Sequence, residues 1–107
     1  MKVGIIGAGL VGSTTAYTLA IEGTAREIVL VDINKVRAEA EADDIIHATA
    51  FKQDCTIYEG DYSDLKGADV VIITADGAPN FTASRLELVD GNTRMFKSII
   101  PGLVKYA

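Results

Sequence analysis

Basic runs, a second cysteine, a second histidine and long apolar stretches are all missing from this 107-residue chain. Lysine and arginine number 10 against 15 acidic residues, a net charge of -5. With no concentrated basic face, the composition argues against a nucleic-acid partner. The longest apolar stretches, such as "VVIITA", fall far short of the roughly 20 residues that cross a bilayer. The opening "MKVGIIG" lacks the basic start, apolar core and cleavage site of a signal peptide. The lone Cys55 has no partner for an internal disulfide, which fits a reducing cytoplasm. With no acid–base partner near it in sequence, Cys55 reads as a small loop or strand residue. No internal repeat, low-complexity tract or linker divides the chain, so residues 1–107 read as one domain.

What is present alternates in a regular way. "KVGIIG" is a short apolar strand ended by glycine. Residues 10–22 read as a helix with Val11, Thr15, Leu19 and neighbouring alanines on one face, stopped by Gly23. "EIVLVDI" is a second strand, apolar almost throughout, as strands buried on both faces are. Asn34 is placed to cap the next helix, "KVRAEAEADDIIHATAF". "CTIYEG" is a weaker third strand, "DYSDLKG" a turn or helical piece, and "ADVVIITA" a fourth strand. After the loop "DGAPNFTAS" a last helix runs from about Ser84, with Pro101 predicted to break or kink it. Alternating strands and helices imply parallel pairing through right-handed crossovers, hence an α/β fold with helices on both faces of an open sheet.

Gly7, Gly9 and Gly12 spell GxGxxG where the first strand turns into the first helix. Each glycine has a separate task there: a tight turn, close approach of a pyrophosphate, and close packing of helix on strand. The helix N-terminus adds unpaired N–H groups and the positive end of its dipole. Asp32 closes the second strand, where a carboxylate accepts hydrogen bonds from an adenosine ribose and repels a 2′-phosphate. That combination points to NAD rather than NADP. The competing readings are a purely structural glycine turn and an Asp32 that only caps a helix.

"MKVGIIGAGLVGSTTAYTLA", "EIVLVDINK", "GDYSDLKGADVVIITA" and "SRLELV" with Asn92 together resemble the lactate and malate dehydrogenases, the lactate branch more closely. The resemblance implies a partial Rossmann fold with a four-stranded parallel sheet in the order 3-2-1-4. It also implies that Gly7, Ala8, Gly9, Leu10, Val11 and Gly12 hold the pyrophosphate, that Asp32 meets the adenosine ribose, and that the neighbouring Ile33 is among the cofactor-binding residues. Arg37 would lie near the adenosine and Tyr62 beside the adenine. Thr74, Ala75 and Gly77 would line the cofactor groove, and Asn92 would sit on the helix after the substrate loop. Apart from the family, Asn92 interrupts the apolar stripe Val89, Phe96, Ile99 and Leu103 on the last helix.

Loop 76–84 departs from the family pattern: it inserts Asp76 before "GAP" and lacks a Lys-Pro-Gly segment. Arg85 aligns with the family's loop arginine and is the one weak catalytic candidate. The family's catalytic histidine, its aspartate and its substrate-gripping arginine are implied to lie beyond the end of this chain. His47 is no substitute. It follows about twelve residues of helix at ~1.5 Å each, roughly 18 Å from the ligand-binding end of the sheet. Asp43 and Asp44 read as a solvated or interface face. No metal site is read.

The expectation is therefore an NAD(H)-binding module of a lactate-type dehydrogenase, inactive alone and cytoplasmic, whose family reaction reduces pyruvate to lactate with NADH. The alternative is a structural or engineered Rossmann fragment that chiefly self-associates, as a homodimer or higher oligomer. Its contacts would be the open edge of strand 69–75 or the C-terminal helix. A methyltransferase using S-adenosylmethionine fits the glycine loop less well.

Overall fold

Strand β1 (Lys2–Ile6) is the axis of the structure, a computed structural model that describes residues 1–49, 54–75 and 85–106. It pairs in parallel with β2 (Glu27–Val31) on one side and β4 (Val70–Ile73) on the other, and β3 (Thr56–Glu59) pairs with β2. The resulting order, β3-β2-β1-β4, is the expected 3-2-1-4. The strands are rich in valine and isoleucine, which suit a pleat covered on both faces.

The period-two alternation of the strands sorts their side chains onto two faces. Val3, Ile5, Ile28 and Leu30 point one way, against the alanines of α1 (Leu10–Ile21) and α2 (Lys35–Ala48). Ile6, Val29 and Val31 point the other way, against Leu65 of the 3-10 helix Tyr62–Leu65 and Ile99 of α3 (Arg85–Tyr106). Helices thus cover both faces. Ile5, Ile28 and Leu30 are fully buried, each worth roughly 1.5–3 kcal/mol of apolar burial.

Three local expectations are corrected. The fully buried positions of α1 are Gly12, Ala16 and Ala20; of the predicted face, the alanines and Leu19 pack on the core, and Val11 is exposed. At Gly12 only glycine fits, because α1 starts directly on the glycine turn. The last helix runs unbroken through Pro101. Pro101 and Lys97 are both exposed, so the carbonyl left without a donor lies on the solvent side. Phe96 is exposed too, whereas Ile99 and Leu103 pack on the sheet. Of the described side chains in the predicted stripe, Phe96 thus lies outside the core.

Candidate functional site

The turn from β1 into α1 is built around Gly7, whose φ of 110° is left-handed and favours glycine. A Cβ on Gly7 would also stand 2.6 Å from the Ala75 amide nitrogen. Gly12 is tighter still: a Cβ there would lie 1.8 Å from the Gly7 carbonyl oxygen and 2.7 Å from Thr74 Oγ1. Thr74, at the end of β4, donates its hydroxyl to the same Gly7 carbonyl at 2.9 Å. Gly9 differs from both, with an extended backbone and nothing within 4 Å of where its Cβ would be. Glycine at position 9 leaves space on the open side of the turn.

Gly9 is the N-cap of α1 and makes no side-chain capping bond, and no acidic residue lies in the first turn. The first N–H groups of a helix have no intrahelical acceptor. Those of Leu10 and Val11, on residues 86% and 65% exposed, therefore stand at the surface with the positive end of the dipole. This is the donor set that an anionic ligand needs.

Asp32, just past β2, faces the same turn. Its Oδ2 accepts the Ala8 N–H at 2.7 Å and its Oδ1 accepts the Asn34 N–H at 2.8 Å. The carboxylate ties the glycine turn to the start of α2 and keeps lone pairs for a further donor. The helix cap is Asn34, whose side chain accepts the Arg37 N–H at 3.1 Å, so the capping reading of Asp32 fails.

A cleft of about 700 Å³ joins these parts at the C-terminal ends of the strands, where open α/β sheets bind ligands. Gly7, Gly9, Leu10, Val11, Asp32, Ile33, Arg37, Tyr62, Thr74 and Ala75, all among the candidate cofactor residues, line it. Ala8 and Gly12 do not. Ala8 is buried with its N–H committed to Asp32, and Gly12 is buried behind the Gly7 carbonyl. Gly77 and loop 76–84 lie outside the described residues, as do the side chains of Arg85 and Asn92. Asn34, Lys35, Asp61 and Ser98 also line the cleft without having been singled out for it. Asn34 and Lys35 directly follow the Asp32–Ile33 pair, and that proximity was the available signal. Asp61 and Ser98 reach the cleft only through the fold.

Lys35 and Asp61 meet at 2.6 Å, Nζ to Oδ1. The Asp61 carboxylate, by hydrogen bond first and by charge second, pushes the Lys35 ammonium above its usual value. The Tyr62 ring rests against Gly102 of α3, and burial pushes its phenol up. A shallower depression of about 320 Å³ lies between α1 and α2 and is lined by Glu41 and Asp44 among others. His47 is exposed in the last turn of α2 and lines neither hollow. Among the described residues, no group of three potential ligands is placed to hold a metal ion. No helix among them is long and apolar enough to cross a membrane.

An open parallel sheet, a glycine turn feeding an uncapped helix and an acid at the end of the second strand define a dinucleotide-binding Rossmann domain. Residues 1–107 match the family described as lactate/malate dehydrogenase, NAD binding domain, and the chain belongs to that family. It is 52% identical over 105 residues to the L-lactate dehydrogenase of Thermoanaerobacterium saccharolyticum, covering 98% of this chain and 34% of that protein. The corresponding enzyme of Clostridium botulinum is 50% identical, with 98% and 33% covered. The minor L-lactate dehydrogenase of Enterococcus mundtii in ligand-bound form superimposes with a TM-score of 0.90 at 33% identity, over 98% of this chain and 34% of that one. The malate dehydrogenase of Archaeoglobus fulgidus in complex with NADH gives a TM-score of 0.89 at 38% identity, over 100% and 37%. The chain thus spans about a third of the length of these relatives.

Proposed function

We propose that this chain binds NAD(H) as the cofactor half-domain, residues 1–107, of a lactate-type dehydrogenase, and that it performs no turnover alone. The observation that carries the reading is one cleft shared by the uncapped start of α1, the open side of Gly9 and the Asp32 carboxylate. Bound NAD would supply the hydride acceptor, and NADH the donor, for interconversion of lactate and pyruvate in the whole protein.

In this reading the Leu10 and Val11 amides take the pyrophosphate, with Gly7 shaping the turn beneath. Asp32 accepts from the adenosine ribose hydroxyls, and Ile33, Arg37 and Tyr62 border the adenosine. Thr74 and Ala75 floor the groove toward the nicotinamide, and Gly77, Asn92 and Arg85 keep the roles that the resemblance implies. Ala8 and Gly12 contribute by holding Asp32 and α1 in position. The cytoplasm is the compartment that suits both the lone Cys55 and this chemistry.

The test is calorimetric titration of the 107-residue chain with NADH and with NADPH, followed by an assay of pyruvate-dependent NADH oxidation. Saturable NADH binding, NADPH at least about tenfold weaker and no oxidation are expected. No binding at millimolar NADH overturns the reading, and measurable oxidation overturns its second half.

A second reading, self-association, rests on β4. Among the described residues this strand is bonded on one side only, to β1. Val70 is exposed, and so are Ile100 and Val104 on α3.

A further inference from the structure

Discrimination between NAD and NADP is ordinarily assigned to the acid after the second strand, here Asp32. Yet two cations, Lys35 and Arg37, line the same cleft as Asp32, and a free lysine there would attract a 2′-phosphate. We propose that Asp61 is a second determinant of cofactor choice: it holds the Lys35 ammonium in an ion pair and so withholds it from the 2′-phosphate of NADP(H). The inference rests on the NAD(H)-binding reading and extends it to a residue 29 positions beyond Asp32 in the sequence.

The geometry supports this in three ways. First, Lys35 Nζ lies 2.6 Å from Asp61 Oδ1, a close, charge-assisted contact. Second, the acceptor is built rather than casual. Asp61 starts the 3-10 helix, and its own N–H is held by Asp64 Oδ2 at 2.8 Å. Third, Glu59 and Asp64 add their fields to that of Asp61 at the Lys35 ammonium, which lies among three carboxylates. Both partners of the pair are exposed, so the bond is weak in stability terms. Its effect is on where one charge sits.

The test is a double-mutant cycle of Asp61→Asn and Lys35→Met, read as the ratio of NADPH to NADH dissociation constants by calorimetry. The ratio cancels general damage to the cleft, and asparagine retains the N-cap preference of Asp61. With Asp61 replaced, the ratio should fall about fivefold as the lysine is released. Lys35→Met should then raise the ratio about fivefold in the Asp61→Asn background but less than about twofold in the native background. Equal effects of Lys35→Met in both backgrounds would mean simple additive charge and overturn the proposal, as would an unchanged ratio in Asp61→Asn. If the native chain binds neither nucleotide, the NAD(H)-binding reading falls and this proposal with it.

Discussion

Gly9 and Gly12 stand three residues apart and should respond to the same added methyl group in opposite ways. At Gly12 the methyl would overlap the Gly7 carbonyl and the Thr74 hydroxyl. Gly12→Ala should therefore lower stability by about 1–3 kcal/mol through overpacking, seen as an earlier midpoint in urea. At Gly9 the methyl meets open space in an extended backbone. Gly9→Ala should cost under about 1 kcal/mol as an N-cap change. The same variant should weaken NADH about tenfold or more by filling the phosphate approach. Asp32 combines both behaviours. Asp32→Ala should abolish measurable NADH binding by calorimetry and cost about 1–3 kcal/mol, because the Ala8 and Asn34 amides lose their acceptor. The glycine spacing and the acid closing the second strand made all three positions legible in the sequence. Which glycine serves packing and which serves the ligand is seen only in what surrounds each Cβ.

Between elements, β2 and β3 are joined by a side-chain bond as well as by their ladder. Tyr58 Oη donates to Glu27 Oε2 at 2.5 Å, and Glu27 lies 3.5 Å from Lys2 Nζ. Burial first and the Glu27 bond second push the Tyr58 phenol up to about 12 from an ordinary 10. A raised pKa means that this contribution is complete below pH ~10 and is lost as pH rises toward 12. The unfolded chain ionises there first, and a folded phenolate would face Glu27. Native chain and Tyr58→Phe should thus differ in urea midpoint at pH 8, with the difference shrinking between pH 10 and 12. A constant difference across that range would contradict the assignment. Elements of this kind were well legible because alternation and near-continuous apolar runs mark buried strands. The helix faces were not. In α1 the apolar spacing points Val11 inward, whereas the structure exposes it and buries Gly12, Ala16 and Ala20.

At the scale of the whole molecule, the two edges of the sheet are unlike. β3 has Thr56, Tyr58 and Glu59 beside Asp54 and Asp61, a charged and polar margin that discourages pairing. β4 is Val-Val-Ile-Ile, none of it fully buried, with Ile100 and Val104 exposed on α3. Among the described residues β4 is bonded on one side only, and the proposed self-association would use that apolar edge. Sedimentation at tens of micromolar should show a dimer or larger species, and Val70→Lys should shift it toward monomer. A monomeric native chain at that concentration would remove the self-association reading. Asp32→Ala should leave the assembled state unchanged, since the cleft and the edge are separate surfaces.

The strand–helix alternation, the glycine turn and the acid after the second strand are all legible in the residues alone. Each is local: a period of two or 3.6, a residue without Cβ, a carboxylate about twenty positions on. Tertiary structure decided the rest. Thr74 meets Gly7 across 67 positions, Lys35 meets Asp61 across 26, and Ser98 of α3 reaches a cleft that begins at Ile6. No periodicity links residues so far apart. Only the parallel stacking of four strands brings their C-terminal ends to one rim, where the cleft and its charges meet.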